Sequence, residues 1–343
     1  MNQDTPVISA REVWKLFGEN SAQYLAKMPP DRNAEKIAAD GYIPAVRNVS
    51  LDVARGEMLV VMGLSGSGKS TLVRCLSRLQ SCTSGRIEID GQDITSLGQR
   101  DLIELRRSKM GMVFQSFGLL PHRTVLDNVA FPLEIRGRGR LARHERAAEM
   151  LRLVGLDGRE DYFPHELSGG QQQRVGIARS LAVEPEIWFL DEPFSALDPL
   201  IRREMQDEFL RLRAMAGRTI VFITHDFDEA LRLADRIAIM KDGAIEQCDT
   251  PDKLVMSPAT DYVARFTQEV DRARVVSVGA LARPATGELL PGEPLSSRAR
   301  IRDLARRLVE DVRPAYPVAD KDGRIVGVLH RDDALEVLLG PKP

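Results

Sequence analysis

Gly63-Leu64-Ser65-Gly66-Ser67-Gly68-Lys69-Ser70 is a glycine-rich run closed by a cation and a hydroxyl, with Thr71 directly after it. Glycines at this spacing let a loop wrap tightly, so that successive backbone N–H groups point inward at phosphate oxygens. A helix starting near Ser70 adds the positive end of its dipole. Lys69 can then reach the β- and γ-phosphates, the Ser70 hydroxyl suits Mg²⁺, and Thr71 faces the α-phosphate side. The run predicts binding of a nucleoside triphosphate. Ile187-Trp188-Phe189-Leu190-Asp191-Glu192 brings two carboxylates to the C-terminal end of an apolar strand, where open α/β sheets bind ligands. Asp191 is placed for the Mg²⁺ shell, commonly through water. Glu192 is placed to polarise or deprotonate an attacking water. Adjacent acids before Pro193 can also cap a turn, but the phosphate loop upstream favours the chemical reading. Leu167-Ser168-Gly169-Gly170-Gln171 opens another helix, a second anion-ready N-terminus that can meet phosphate from the opposite side.

These residues need a scaffold, and the apolar pattern supplies one. Met58–Met62, Ile187–Leu190, Ile220–Thr224 and Ile237–Met240 are short apolar runs that read as buried parallel strands of an α/β sheet. Ser70–Leu79, Gln171–Leu181, Ile201–Met215 and Phe227–Leu233 read as helices between them. Residues 83–97 suit an antiparallel hairpin region, and residues 124–166 a separate helical segment. The arginines there, Arg136, Arg138, Arg140, Arg143 and Arg146, read as a solvated helix face, with a partner or lipid-headgroup contact as the alternative. After Val275 come Pro284, Gly287, Pro291, Gly292 and Pro294, a loop-rich stretch. Ile301, Leu304, Ala305 and Leu308 then keep a helical period, Tyr316–Ala319 and Arg324–Leu329 form a hairpin around Asp322-Gly323, and Asp332 or Asp333 can cap a last helix.

Composition narrows the class. With 48 Lys+Arg against 50 Asp+Glu, a net charge of -2 excludes a strongly basic nucleic-acid binder and a mostly disordered acidic chain. No apolar run approaches the roughly 18–20 residues that span a bilayer. Met1-Asn2-Gln3-Asp4 lacks the layout of a signal peptide. The 3 cysteines show no metal-ligand spacing, so a reduced, cytosolic chain is expected.

Taken together, the runs at 63–71, 167–171 and 187–192 resemble the ATP-binding-cassette (ABC) ATPases. The match adds Gln115 in Val113-Phe114-Gln115-Ser116, Asp198 in Ser195-Ala196-Leu197-Asp198, and His225 in Ile223-Thr224-His225-Asp226, all in the family's order. The resemblance covers about residues 8–270. It implies an α/β P-loop NTPase cassette, a RecA-like core with antiparallel β and helical subdomains, using ATP and Mg²⁺. It further implies that Gln115 senses Mg²⁺ and the attacking water, and that His225 contacts the γ-phosphate. Ser168, Gly169, Gly170 and Gln171 would close on ATP held by a second subunit, with Asp198 at the seam of that homodimer. Phe17 in Leu16-Phe17-Gly18 is the expected base-stacking aromatic; Trp14 and Tyr42 are rivals.

The span between Phe17 and Gly63 is longer than a typical importer ATPase leaves there. This insertion, about residues 20–45, holds Met28-Pro29-Pro30 and a helix-like Asn33–Ala39. Its placement resembles the glycine betaine/L-proline importer ATPases, as do Met112–His122 and Phe194–Arg202. That subgroup implies an ATP-hydrolysing subunit at the cytoplasmic face of the cell membrane. It would serve a permease fed by a substrate-binding protein, with Phe117–His122 helping to receive a permease helix. An importer for choline or an amino acid is the alternative, and a non-transport ABC clamp protein a more distant one. The tail resembles one CBS motif, with Asp333 at the ribose-contacting acid and His330 where a hydroxyl is expected. Its arginines between Arg298 and Arg313 suggest a salt-sensitive contact with anionic lipid. The expected organisation is an ATPase domain over 1–270 with a helical subdomain at 112–170, a linker over 271–297, and a single CBS-like regulatory unit over 298–343.

Overall fold

A computed structural model describes residues 5–28, 33–284 and 292–339. Pro29, Pro30, Gly287 and Pro291 therefore lie outside the described residues. The chain divides into two compact units, residues 1–245 and 246–343.

In chain order the first unit contains β1 (Ile8–Phe17), α1 (Ser21–Lys27), α2 (Ala34–Ala39), β2 (Ile43–Val53), β3 (Met58–Met62), α3 (Lys69–Leu76), β4 (Ser84–Ile89) and β5 (Gln92–Asp93). There follow α4 (Gln99–Lys109), β6 (Met110–Val113), α5 (Val125–Ile135), α6 (Arg140–Leu153), α7 (Gly169–Ala182) and β7 (Ile187–Asp191). The unit continues with α8 (Pro199–Ala216), β8 (Thr219–Ile223), α9 (Phe227–Leu233), β9 (Arg236–Lys241) and β10 (Ala244–Asp249), within which the dividing line falls.

Two sheets carry the unit: an antiparallel one of 4 strands, β2-β1-β4-β5, and one of 6 strands, β10-β9-β3-β8-β7-β6. Within the larger sheet β9, β3, β8, β7 and β6 pair in parallel. All residues of β3, β7 and β8 are buried. That is why their sequences read as continuous apolar runs rather than alternating ones: helices cover both faces of a parallel sheet. Polar residues enter only where the strands end. β3 runs into the glycine-rich loop, β7 ends at Asp191, and β8 ends before Thr224 and His225. The parallel register Asp191↔Ile223 sets the ends of β7 and β8 side by side. Topology thus gathers the chemistry at one edge.

Helices α5 and α6 fall within the stretch expected as a helical subdomain over 112–170, and α7 starts at its end and runs on to Ala182. Asn128, wholly buried, ties the start of α5 to the preceding loop by accepting from Leu120 N–H and donating to the Leu120 carbonyl. Part of the basic cluster is paired internally, and Arg136 donates to the Val183 carbonyl. Arg143 meets Glu134, and Arg146 meets Glu149 and Glu184.

The second unit holds α10 (Pro251–Met256), α11 (Asp261–Thr267), α12 (Arg272–Val275), α13 (Val278–Leu281), β11 (Leu295–Ser296), a 3₁₀ turn at Ile301–Leu304, α14 (Ala305–Glu310), β12 (Ala315–Ala319), β13 (Ile325–His330) and α15 (Arg331–Leu339). β11 pairs in parallel with β12, and β12 antiparallel with β13. Ala273, Val276, Val278, Leu295, Leu308 and Tyr316 share one core. Part of the stretch expected as a linker is therefore helical and buried, because its apolar residues have this core to join. α15 starts at Arg331, so Asp332 and Asp333 lie inside its first turn instead of capping it.

Candidate nucleotide site

The turn after β3 depends on backbone conformations that side chains resist. Gly68 has φ +97°, and a Cβ there would lie 2.1 Å from the Ala45 carbonyl oxygen. The loop wraps the Lys69 ammonium, which donates to the Gly63 and Leu64 carbonyls at 2.9 Å each. Burial pushes the Lys69 pKa down, opposed by the nearby carboxylates of Glu192 and Asp191. A cation partly stripped of water and held beside open backbone amides is prepared for an anion.

At the end of β7, Asp191 is buried and accepts from the Ser70 hydroxyl at 3.0 Å. Its other oxygen, Oδ2, is buried without a hydrogen-bond partner, and burial holds its pKa above the usual carboxylate range. An orphan carboxylate oxygen beside a hydroxyl is a donor set for a hard divalent cation, so these residues fit Mg²⁺.

Glu192 follows with φ +48°, a left-handed conformation strained for a side-chain-bearing residue. Its N–H donates to the Ile223 carbonyl at 3.1 Å. The carboxylate sits between two partners: Gln115 Nε2 donates to Oε2 at 3.4 Å, and His225 Nδ1 is 3.3 Å from Oε1. Ser65, Gly66, Lys69, Ser70, Gln115, Glu192 and His225 line a single cavity of about 890 Å³, which Thr71 and Gly68 also border.

Ser168, Gly169, Gly170, Gln171 and Asp198 line a separate cavity of about 370 Å³. Ser168 and Gln171 form a reciprocal capping box: Ser168 Oγ accepts from Gln171 N–H at 3.3 Å, and Gln171 Oε1 from Ser168 N–H at 2.9 Å. Asp198 caps α8 by accepting from Ile201 N–H at 3.0 Å. The structure thus brings 63–71, Gln115, Asp191, Glu192 and His225 together and sets the 168–171 face and Asp198 apart from them.

Among the aromatic candidates, Trp14 is buried in a cluster with Leu16, Leu25 and Ile37. Tyr42 stacks on Tyr24, with centroids 4.1 Å apart. Phe17 is 39% exposed under the Lys15 ammonium and does not line the 890 Å³ cavity, although its strand partner Ile43 does.

Sequence reasoning missed Gln173. It is fully buried, donates from Nε2 to the Glu192 carbonyl at 3.0 Å and accepts from Ala196 N–H at Oε1, also 3.0 Å. The run Gln171-Gln172-Gln173 gave no sign of which amide turns inward. Arg202 was missed as well; it joins the Leu197 carbonyl to the Asp226 carboxylate beside His225.

A family profile described as ABC transporter matches residues 46–195. The chain is 70% identical over 335 residues to the trimethylamine N-oxide transport system ATP-binding protein TmoW of Ruegeria pomeroyi, covering 98% of each. It is 44% identical over 328 residues to the glycine betaine transport ATP-binding protein OpuAA of Bacillus subtilis, covering 95% of this chain and 77% of that relative. A solved dimer of the bacterial cassette MJ0796 matches with a TM-score of 0.62 and 36% identity, covering 71% of this chain and 98% of that one. MJ0796 has also been solved bound to ADP and Pi. Fold and site together define an ABC cassette, as the motifs implied. More narrowly, the chain belongs to the ATP-binding subunits of ABC transport systems of the quaternary amine and glycine betaine type, ATPases coupled to transport.

Proposed function

We propose that this chain powers an importer of trimethylamine N-oxide, working as a homodimer on a membrane permease at the cytoplasmic face of the cell membrane. The supporting observation is the 70% identity to TmoW, which runs the length of both chains. The glycine betaine relatives OpuAA and ProV stand at 44% and 45%, and the chain covers only 77% and 81% of their lengths. Glycine betaine is the second reading, favoured by that same similarity. Reconstitution with a permease and substrate-binding protein that it serves tests the choice. Trimethylamine N-oxide should stimulate ATP hydrolysis at lower concentration than glycine betaine, choline or proline. The reverse order would overturn the solute.

In this reading the 63–71 loop and Lys69 hold the triphosphate, and Ser70 and Asp191 would hold Mg²⁺, with Gln115 beside it. Bound Mg²⁺ supplies charge neutralisation on the phosphate oxygens. Glu192 receives the proton of the attacking water, and His225 and Gln115 fix its carboxylate from either side. The 168–171 face and Asp198 serve the ATP of the opposite subunit, a role their separate cavity supports. Phe117–His122 stays the expected permease contact; Arg179 steadies this loop by donating to the Phe117 and Gly118 carbonyls at 2.8 and 2.7 Å.

Residues 298–343 are the proposed regulatory unit. The order helix, β12, β13, helix, with β11 (Leu295–Ser296) just ahead of those bounds pairing with β12, supports a single CBS-like unit. Nucleotide binding at Asp333 would have to displace Arg283, whose Nη2 donates to both carboxylate oxygens at 2.9 and 2.8 Å. Lipid contact would have to compete with internal partners too, since Arg302 pairs with Asp271 and Arg306 with Glu310.

A further inference from the structure

The insertion between β1 and β2 holds one short helix firmly in place. Ile37 of α2 is completely buried against Trp14, Leu16 and Leu25. The Tyr24 hydroxyl donates to Asp40 Oδ2 at 2.6 Å, just beyond the end of α2. At the other end, Asn33 caps the helix by accepting from Lys36 N–H at 3.1 Å. So anchored, α2 sets Ala34, Glu35 and Ala38 on the wall of the same cavity that Lys69, Ser70 and Thr71 border.

Charge decides which part of a nucleotide this wall can meet. Triphosphate oxygens are drawn to Lys69 and the loop amides, whereas the Glu35 carboxylate repels them from the other side. Ile43, Pro44 and Ala45 of β2 continue the wall with apolar and small side chains, and Arg47 of the same strand borders the cavity with its Nε donating to the Asp242 carbonyl. No Phe, Tyr or Trp is among the described residues bordering this cavity. On the side that α2 forms, sugar and base therefore meet mainly aliphatic surface.

We propose that α2 is the nucleoside wall of the ATP site. Ala34 and Ala38 pack against the sugar and base, and Glu35 keeps the triphosphate turned toward Lys69. This rests on the ATP-site reading above and extends it to the insertion.

The test compares ATP with inorganic tripolyphosphate, which has no nucleoside, by calorimetry on the full chain with Mg²⁺. Ala38→Trp fills the wall at an exposed position, and Ala39→Trp, exposed but off the cavity, is the matched control. Ala38→Trp should weaken ATP by about tenfold or more, a loss of about 1.4 kcal/mol, and leave tripolyphosphate unchanged. Ala39→Trp should change neither ligand. Wild-type ATP affinity in Ala38→Trp, or an equal loss of both ligands, would overturn the proposal. Lys69→Ala checks the underlying reading separately: it should lose both ligands, and retention of both would sink the ATP site itself, whatever Ala38→Trp does.

Discussion

Replacing Gln173 with Leu keeps the volume of a fully buried side chain and removes its polar ends. The two groups it serves fare differently. The Glu192 carbonyl keeps the Ser195 hydroxyl, which donates at 3.0 Å. Ala196 N–H, bonded at 3.0 Å to Gln173 Oε1, loses that acceptor. A lost net hydrogen bond is worth about 1 kcal/mol, and water can reach the exposed Ala196, so roughly 1–2 kcal/mol of stability should go. For a cassette this size that lowers Tm by about 2–8 °C.

The larger consequence is geometric. Glu192 at φ +48° holds a conformation that costs of order 1–3 kcal/mol and persists because its surroundings impose it. Without Gln173 the peptide can relax, moving the carboxylate away from Gln115 and His225. A displacement near 1 Å at a reacting group costs on the order of a hundredfold in rate. Single-turnover ATP hydrolysis should therefore fall about that far while ATP affinity, set at the 63–71 loop, is kept. Gln173→Glu retains the acceptor for Ala196 N–H but faces the Glu192 carbonyl with a second acceptor. It should recover part of the stability and little of the rate. If Gln173→Leu loses stability and turns over normally, the side chain merely packs, and the positioning role is wrong.

Further outcomes follow from other residues. Glu192→Gln should bind ATP and hydrolyse it at least about a hundredfold more slowly; near-normal steady-state turnover would reject the base assignment. Gly68→Ala forces a Cβ to 2.1 Å from the Ala45 carbonyl oxygen at a left-handed φ, so nucleotide binding should be lost and thermal stability reduced. Ile37→Ala opens a cavity at a wholly buried site and should cost about 2–4 kcal/mol. Hydrogen exchange should accelerate in residues 21–40 before the rest of the unit. The Tyr24 phenol is pushed up to about 12 by its hydrogen bond to Asp40. Being raised, it contributes stability that is full below pH 10 and fades as pH rises through about 12. Absorbance at 295 nm should show late-titrating tyrosine, to which buried Tyr316 also contributes because burial pushes its phenol up, and Tyr24→Phe should remove only one residue's share.

Much of this was legible in the sequence because parallel strands are buried on both faces. Met58–Met62 and Phe227–Leu233 have the bounds that their apolar patterns predict. The loop at 63–70 is equally readable, since glycine spacing records backbone conformation directly. Three things were not legible. Gln173 looks like its two neighbours, and only the approach of α7 to Glu192 distinguishes it. The insertion gives a helix pattern but no sign of the wall it forms, because that depends on how Ile37 is seated. The loop-rich composition after Val275 hid Val276 and Val278, too sparse to show a period yet buried with Ala273 in one core. A truncation at Val275 would therefore cut through the core of residues 246–343, and salt response in such a variant would report damage as much as regulation.

The separation of the two cavities gives Gln173 a further meaning. Gly170 lies so near the loop after Glu192 that a Cβ there would be 3.0 Å from the Ala196 carbonyl oxygen, and Asp198 caps the next helix. The 168–171 face, residues 195–198 and the Glu192 peptide thus form one packed piece, tied by the Gln173 amide. In a dimer where that face receives the partner's ATP, its seating would reach Glu192 of its own subunit through this piece. The coupling then needs no long path, because the donor and acceptor of one buried side chain span it. Ser168→Ala and Gln173→Leu should accordingly be non-additive in kcat, by at least about 1 kcal/mol. Additive losses would mean that the face and the carboxylate act independently, leaving Gln173 as a local brace for Glu192 alone.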